Sequence, residues 1–144
     1  MDVMVPYKIV SSRLFHHSPE TLFGAFADVE TLKQWWGPHG FANTIEAFEF
    51  RPGGAWRHTM HGLDGSAFEN DSEFIEIIRP SRISFLHKGP VHVFTLVMEF
   101  IPRGADTELV WTMESQNGGE NKEMTGFIEA GNQQNFDKLA ALLG

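Results

Sequence analysis

The first forty residues have the hydrophobic spacing of one short strand followed by two short helices. Residues 8–15 predict a modest opening strand. The Ser-Pro-Glu segment at 18–20 then predicts a helix start, because serine caps, proline suits the first helical position and glutamate complements the positive end of the helix dipole. A second short helix is predicted over 28–36, and the Gly-Pro pair at 37–38 ends it, since proline disfavours the helical conformation in the residue before it.

Beyond this point the hydrophobic period changes from helical spacing to alternation, which is typical of half-buried strands. Turn residues separate six such segments. The predicted strands are 44–50, 55–61, 68–78, 82–87, 93–101 and 107–115. Consecutive strands joined by short turns must be antiparallel, because a parallel pair needs a long crossover. The middle of the chain therefore predicts one antiparallel sheet.

The last segment, roughly 121–143, has an apolar stripe at helical spacing that includes Phe127, Ile128, Phe136 and Leu139. The predicted order is a strand, two short helices, about six strands and one long helix. Strands grouped in one sheet with helices to one side define the α+β class. A length of 144 residues is that of one domain, so residues 1–144 are predicted to form a single domain.

A twisted antiparallel sheet of six to seven strands curls, and the long C-terminal helix is the element available to cover its concave face. A curved sheet against a straight helix leaves a gap, which large side chains either fill or leave open as a cavity. The sequence leaves both outcomes open. The candidate cavity-lining residues are rich in aromatic and methionine side chains; they are Trp35, Trp36, Phe41, Phe48, Trp56, His58, Met60, Phe74, Phe85, His87, Phe94, Met98, Trp111, Met113, Phe127 and Gly131.

Composition removes several classes of function. Eleven Lys and Arg against nineteen Asp and Glu give a net charge of −8, which repels phosphate backbones and argues against nucleic-acid binding. The absence of cysteine excludes disulfides, thiolate metal sites and cysteine nucleophiles. No run approaches the ~20 apolar residues of a membrane span, and the first residues lack a signal-peptide pattern. We therefore expect a cytoplasmic protein.

Several segments, taken in this order, resemble a known family. They are WWGPHGF at 35–41, FRPGGAWR at 50–57 and EIIRPSRI at 76–83, preceded by the helix start at 18–20. Together they are similar to the domain named after the activator of the heat-shock-protein-90 ATPase, which belongs to the START-like (SRPBCC) superfamily. The resemblance covers about residues 8–143 and implies the helix-grip fold, a curved antiparallel sheet wrapped around a long C-terminal helix.

For function the resemblance implies less. Members of the superfamily bind lipids, hormones and polyketides, some are cyclases or ring-hydroxylase subunits, and many have no assigned activity. The family often carries a Gly-Trp pair in its last helix, where this chain has Gly131 followed by Asn132. The loss of a large ring there would enlarge or polarise that end of a cavity.

Seven histidines raise the question of metal or acid–base chemistry. His58 and His61 are three residues apart on a strand, so they face opposite sides and cannot hold one ion together. His58 and His87 share the inward parity and could meet in the cavity, where a neutral imidazole can orient a ligand or act as a general base. Glu76 has the parity of Phe74 and would also face inward unless a bulge intervenes.

Three functions are compatible with these sequence features. The leading hypothesis is a protein without cofactor, catalytic residue or metal that binds a small hydrophobic or amphipathic molecule between sheet and helix. The second is a cyclase- or hydrolase-like enzyme that uses His58 or His87 with a carboxylate. The third is a protein-interaction module or homodimer related to the chaperone-activator domains.

Overall fold

A computed structural model describes residues 7–89, 93–115 and 122–144. The order of elements is the predicted one, with strand bounds that differ from the prediction by at most two residues. The elements are β1 (Tyr7–Phe15), α1 (Pro19–Ala27), α2 (Val29–Trp35), β2 (Ala42–Phe48), β3 (Ala55–His61), β4 (Ala67–Ile78), β5 (Arg82–Gly89), β6 (Phe94–Arg103), β7 (Asp106–Ser115) and α3 (Lys122–Leu143). Residue 121, the predicted start of the last helix, lies outside the described residues.

The seven strands form one curved antiparallel sheet, as predicted, in the order β1-β7-β6-β5-β4-β3-β2. Strands that follow one another from β2 to β7 are neighbours, which agrees with their short connections. The opening strand β1 pairs with the last strand β7 along its whole length. The two short helices therefore lie on the connection between the two edge strands, β1 and β2.

The two short helices begin and end where their capping residues predict. The Ser18 hydroxyl accepts a hydrogen bond from the Thr21 backbone N–H at 3.2 Å, and Pro19 opens α1. Asp28 closes α1 and at once caps α2, since its carboxylate accepts from the Glu30 backbone N–H at 3.2 Å. Asp28 thus joins the two helices directly, and the end of α2 lies on the concave side of the sheet.

Helices α1 and α2 fill one end of the concave side of the sheet. The side chains of Leu22, Phe23 and Trp35 have no solvent-exposed area. The Phe23 ring lies 5.5 Å from the ring of Phe100 on β6, measured between centroids. The C-terminal half of α3 closes the same core with Phe136, whose ring is 4.8 Å from that of Trp111. At this end the space between sheet and helices is solid.

The N-terminal half of α3 departs from the predicted apolar stripe. Phe127 was expected to face the core but is 81% exposed, whereas the neighbouring Ile128 packs against the core. Adjacent residues are about 100° apart around a helix, which turns Ile128 toward the core and leaves most of Phe127 in solvent. The buried face instead continues through Asn132 and Asn135. No helix among the described residues has the length and apolar character that a membrane crossing requires.

Candidate ligand-binding site

A cavity of about 250 Å³ lies between the sheet and the N-terminal half of α3, at the end that α1 and α2 do not fill. Strands β3 to β7 supply its floor, and the segment that follows α2 supplies one wall. The gap expected between a curved sheet and a straight helix is thus present at one end of the concave side.

The indole of Trp36, the residue that follows α2, lies between other aromatic side chains of the cavity lining. The Trp36 ring lies 4.9 Å from that of Trp56 and 5.3 Å from that of Trp111, and both partners are buried. Trp36 therefore stands between a tryptophan of β3 and a tryptophan of β7. The Phe85 ring, on β5, completes this wall at 6.2 Å from Trp36. Aromatic side chains have few rotatable bonds, so these rings cannot easily move into the space and close it.

The structure brings eleven of the sixteen candidate residues together around this cavity. They are Trp36, Trp56, His58, Met60, Phe85, His87, Phe94, Trp111, Met113, Phe127 and Gly131. The other five lie elsewhere; they are Trp35, Phe41, Phe48, Phe74 and Met98. That the eleven contact a ligand stays a prediction.

The five candidates outside the cavity have other neighbours. Trp35 and Met98 are buried in the core under α1 and α2. The rings of Phe48 and Phe74 pack against each other at 5.7 Å, beyond the lining tryptophan of β3. Phe41 contacts the start of β4, where another phenylalanine ring lies 5.9 Å away. Strand parity could not distinguish these positions, because it gives the face of a residue but not its level along the sheet.

Eight further residues line the cavity, and the sequence contained a signal for several of them. They are Gly37, Pro38, Asn70, Ser72, Leu96, Ile128, Asn132 and Asn135. Asn70 and Ser72 have the strand parity of Phe74, and Leu96 has that of Phe94. The polar residues that interrupt the apolar stripe of the last helix also indicate that one or two of Asn132 to Asn135 point toward the cavity, and Asn132 and Asn135 line it. Asn70 and Ser72 were overlooked, because the candidates on the strands were chosen among aromatic, histidine and methionine side chains.

The buried asparagines of α3 attach the helix to its surroundings. The Asn135 side-chain oxygen accepts from the Gly37 backbone N–H at 2.7 Å, and its amide nitrogen donates to the Gly131 carbonyl at 2.9 Å. The Asn132 amide donates to the Ser11 hydroxyl on β1 at 3.1 Å. Asn132 and Asn135 therefore attach α3 to β1 and to the segment that follows α2.

The two cavity histidines differ in their hydrogen bonding. A 2.9 Å hydrogen bond joins His87 Nε2 and the Asn70 side-chain oxygen, and the His87 ring stacks on Phe94 at 4.6 Å. His58 is 3% exposed and stacks on Trp56 at 4.9 Å. Burial, and secondarily the nearby His87, lower the pKa of His58 to about 4. Its imidazole is therefore neutral at pH 7.

Four buried residues of the lining have polar side-chain atoms without a hydrogen-bond partner among the described residues. These atoms are Trp56 Nε1, both ring nitrogens of His58, Ser72 Oγ and Trp111 Nε1. Buried polar groups are almost always paired in folded proteins, since an unpaired one costs about 1–3 kcal/mol. These four residues with unpaired polar atoms all line the same cavity.

No carboxylate, lysine or arginine lies among the described residues that line the cavity. Glu76, expected inward on strand parity alone, faces outward because the pairing of β4 and β5 shifts between Phe74 and Glu76. Its carboxylate forms an ion pair with Arg82 at 3.1 Å, and its side chain is 45% exposed. The shift is the bulge that the parity argument had allowed for.

Ionic groups occur instead on the outer face of the sheet. A larger and more open depression of about 580 Å³ is bounded by charged residues, among them Glu46, Arg57 and Asp71. Arg57 follows Trp56 on β3, and because side chains alternate along a strand it lies on the face opposite the cavity. Solvated charges in an open depression give a ligand little burial. In the described parts of the chain, no group of three or more His, Asp or Glu residues is placed to hold a metal ion.

The helix glycines have open space rather than close neighbours. A Cβ built on Gly131 would have only the Pro38 side chain nearby, at 3.9 Å, and one built on Gly126 would meet nothing within 4 Å. Close approach of the sheet, one explanation for glycines in this helix, is therefore absent at both positions. Gly131 borders the cavity, whereas Gly126 is exposed.

Comparison with known proteins identifies relatives of this architecture. The family model described as Activator of Hsp90 ATPase homolog 1-like protein matches residues 16–144. No protein of curated function matches the sequence.

Solved structures of low sequence identity share the fold. Protein CV1439 from Chromobacterium violaceum has a TM-score of 0.83 and 21% identity, with 94% of this chain and 95% of that chain covered. Protein NE0264 from Nitrosomonas europaea has a TM-score of 0.81 and 23% identity, covering 99% and 96%. The AHSA1 protein SPO3351 from Silicibacter pomeroyi has a TM-score of 0.79 and 23% identity, covering 95% and 97%.

Proposed function

This chain belongs to the Activator of Hsp90 ATPase homolog 1-like family, and from the cavity that its fold encloses we propose that it binds a small hydrophobic or amphipathic molecule between the curved sheet and α3. The observation that carries this proposal is the 250 Å³ space bordered by three tryptophans, two phenylalanines of the sheet and two methionines. Folds of this type often bind hydrophobic ligands. A mostly apolar cavity with a few polar groups is the usual form of a small-molecule site.

The volume limits the size of the ligand. A dry cavity of about 150 Å³ accommodates benzene, and typical ligand pockets begin at about 300 Å³. A space of about 250 Å³ lies between these values. We therefore expect a ligand of one or two fused rings, or an aliphatic molecule of similar volume.

Phe127 supports a route of entry at the N-terminal half of α3. Its side chain borders the cavity and is nevertheless 81% exposed, so it stands at the boundary between cavity and solvent. Rotation of this ring changes access to the cavity without disturbing the core.

The alternative functions have less support. The enzyme hypothesis requires His58 or His87 together with a carboxylate, and no carboxylate lines the described cavity. Homodimer formation, a protein-interaction role and a cytoplasmic location stay predictions. They are compatible with ligand binding.

Binding is tested first by native mass spectrometry of freshly purified protein, in which a co-purifying molecule adds its mass to the chain. Naphthalene serves as a defined apolar probe, since Trp36, Trp56 and Trp111 report its arrival through their fluorescence. The proposal is wrong if naphthalene at its solubility limit changes neither the fluorescence nor the amide NMR shifts of cavity residues.

Gly131→Leu is expected to lower the affinity for naphthalene at least tenfold. The new side chain would extend into the cavity, because among the described residues Pro38 alone lies within 4 Å of a Cβ at this position. Gly126→Leu is the matched control: the same change on the same helix, at an exposed position with nothing within 4 Å. Both variants are expected to gain up to about 1 kcal/mol of stability from helix propensity. Equal affinities of the two variants would show that the probe binds outside the cavity.

A further inference from the structure

The unpartnered polar atoms of the cavity carry information about the ligand beyond its size. Trp56, His58, Ser72 and Trp111 are each at most 3% exposed, and their side-chain polar atoms have no partner among the described residues. The neighbouring amides of Asn70, Asn132 and Asn135, in contrast, are all hydrogen-bonded. Unpaired polar groups are thus restricted to one part of the lining.

Sheet register places Trp56, His58 and Ser72 on two neighbouring strands. Ser72 on β4 is the register partner of Trp56 on β3, and the His58 ring stacks on Trp56 at 4.9 Å. Trp111 lies on the other side of the Trp36 ring, which is 4.9 Å from Trp56 and 5.3 Å from Trp111. The unpaired polar groups therefore lie on β3 and β4 on one side of Trp36 and on β7 on the other.

Donors outnumber acceptors in this set. An indole N–H can only donate, a serine hydroxyl can donate and accept, and a neutral imidazole offers one donor and one acceptor. The set therefore offers four donors, two of which have no acceptor capacity. The two indole N–H groups can be satisfied only by a ligand that brings hydrogen-bond acceptors.

The lining also selects against charge. No Asp, Glu, Lys or Arg borders the described cavity, so an ionic ligand would be buried without a counter-charge. Transfer of an unpaired charge out of water is strongly unfavourable. Acceptors on the ligand must accordingly be neutral, as a carbonyl oxygen or an unprotonated ring nitrogen is.

We infer that the cavity is specific for an uncharged molecule of one or two rings that carries a hydrogen-bond acceptor, with Trp56, His58, Ser72 and Trp111 as its donors. This inference rests on the proposed function and adds the ligand's polar chemistry to it. The apolar walls supply affinity, and the donor set supplies orientation and selectivity.

A pair of nearly isosteric probes distinguishes apolar binding in the cavity from hydrogen bonding to the donor set. Naphthalene and quinoline have the same two-ring shape, and quinoline replaces one C–H by a ring nitrogen that accepts a hydrogen bond and is largely unprotonated at pH 7.5. Their dissociation constants are measured for the natural protein, for Ser72→Ala and for Ser84→Ala. Ser84 is a buried serine of β5 outside the cavity whose hydroxyl accepts from the Glu76 backbone N–H at 3.2 Å, which makes it the matched control.

The expected result is that Ser72→Ala weakens quinoline binding about five- to tenfold and leaves naphthalene binding within twofold, because one hydrogen bond is removed. Ser84→Ala is expected to change neither affinity. For each probe, the affinity of a variant is divided by that of the natural protein. The difference in hydration between the two probes is the same for every protein, so it does not affect this ratio.

Other results overturn the inference. Equal effects of Ser72→Ala on both probes, or no effect on either, would leave ligand binding intact and exclude the donor role. Binding of N-methylquinolinium as tight as that of quinoline would exclude selection for neutral molecules. If neither naphthalene nor quinoline binds the natural protein, the proposed function fails and this inference with it.

Discussion

Replacement of Trp35 by alanine is expected to lower the free energy of unfolding by about 3–5 kcal/mol, the usual cost of deleting a large buried aromatic side chain. Trp35 has no solvent-exposed area, its ring lies 4.7 Å from that of Phe26, and its indole N–H donates to the Ala25 carbonyl at 3.1 Å. Alanine would leave a void where α1, α2 and the sheet meet. Urea denaturation followed by circular dichroism measures the loss.

Trp35→Phe separates the ring from its hydrogen bond. Phenylalanine keeps most of the packed volume but leaves the Ala25 carbonyl unpaired, so we expect an intermediate loss of about 1–3 kcal/mol. Leu63→Ala, at a side chain that is 93% exposed, is expected to change stability by less than about 0.5 kcal/mol. A Trp35→Ala protein as stable as the natural one would contradict the placement of this ring in the core.

Acidification from pH 7 to pH 4 is expected to remove about 3 kcal/mol of stability through His58 alone. The pKa of His58 is lowered from 6.5 to about 4 in the folded protein, because burial penalises its charged form. Between these values the unfolded chain binds a proton that the folded protein does not, so stability falls as the pH falls through this window. The difference of about 2.5 units corresponds to roughly 3 kcal/mol.

His58→Phe isolates this contribution from the carboxylates, which also titrate under acidic conditions. Phenylalanine retains a ring against Trp56 but cannot bind a proton. The stability of the variant relative to the natural protein should therefore rise by about 3 kcal/mol between pH 7 and pH 4. The same replacement at the exposed His61 serves as control. Parallel pH profiles for the natural protein and His58→Phe would rule out a buried, neutral His58.

Low pH is also expected to affect the cavity, because protonation of His58 would place a charge in an apolar lining. His87, the other titratable group in the described lining, is close enough to contribute to the lowered pKa of His58. Near neutral pH the donor set offers one imidazole N–H from His58. A protonated His58 would offer two donors and a charge that a neutral ligand cannot compensate.

Local sequence features accounted for most of the fold. β3 begins and ends at the residues that alternation predicts, and α1 begins at the predicted Pro19 after its Ser18 cap. Short turns required antiparallel neighbours from β2 to β7. These features depend on interactions within a few residues, which is why they can be read from adjacent positions in the chain.

The residues that line the cavity were predicted less completely than the fold. Strand parity correctly turned Trp56, His58 and Met60 to one side, and all three line the cavity. The same rule turned Phe74 inward, yet its ring packs with Phe48 away from the cavity. Parity also failed at Glu76, where a shift in register reverses the face. Register shifts depend on the neighbouring strand, so no pattern within β4 alone reveals them.

The sequence by itself determined the elements, their order, the antiparallel sheet and the chemical character of the residues that face its concave side. Only the tertiary structure decided that α1 and α2 fill one end of that side and that a 250 Å³ space is left at the other. It also decided that the polar atoms of Trp56, Ser72 and Trp111 have no hydrogen-bond partner among the described residues. The physical reason is that secondary structure depends on neighbours along the chain, whereas a cavity is the space left after distant elements have packed.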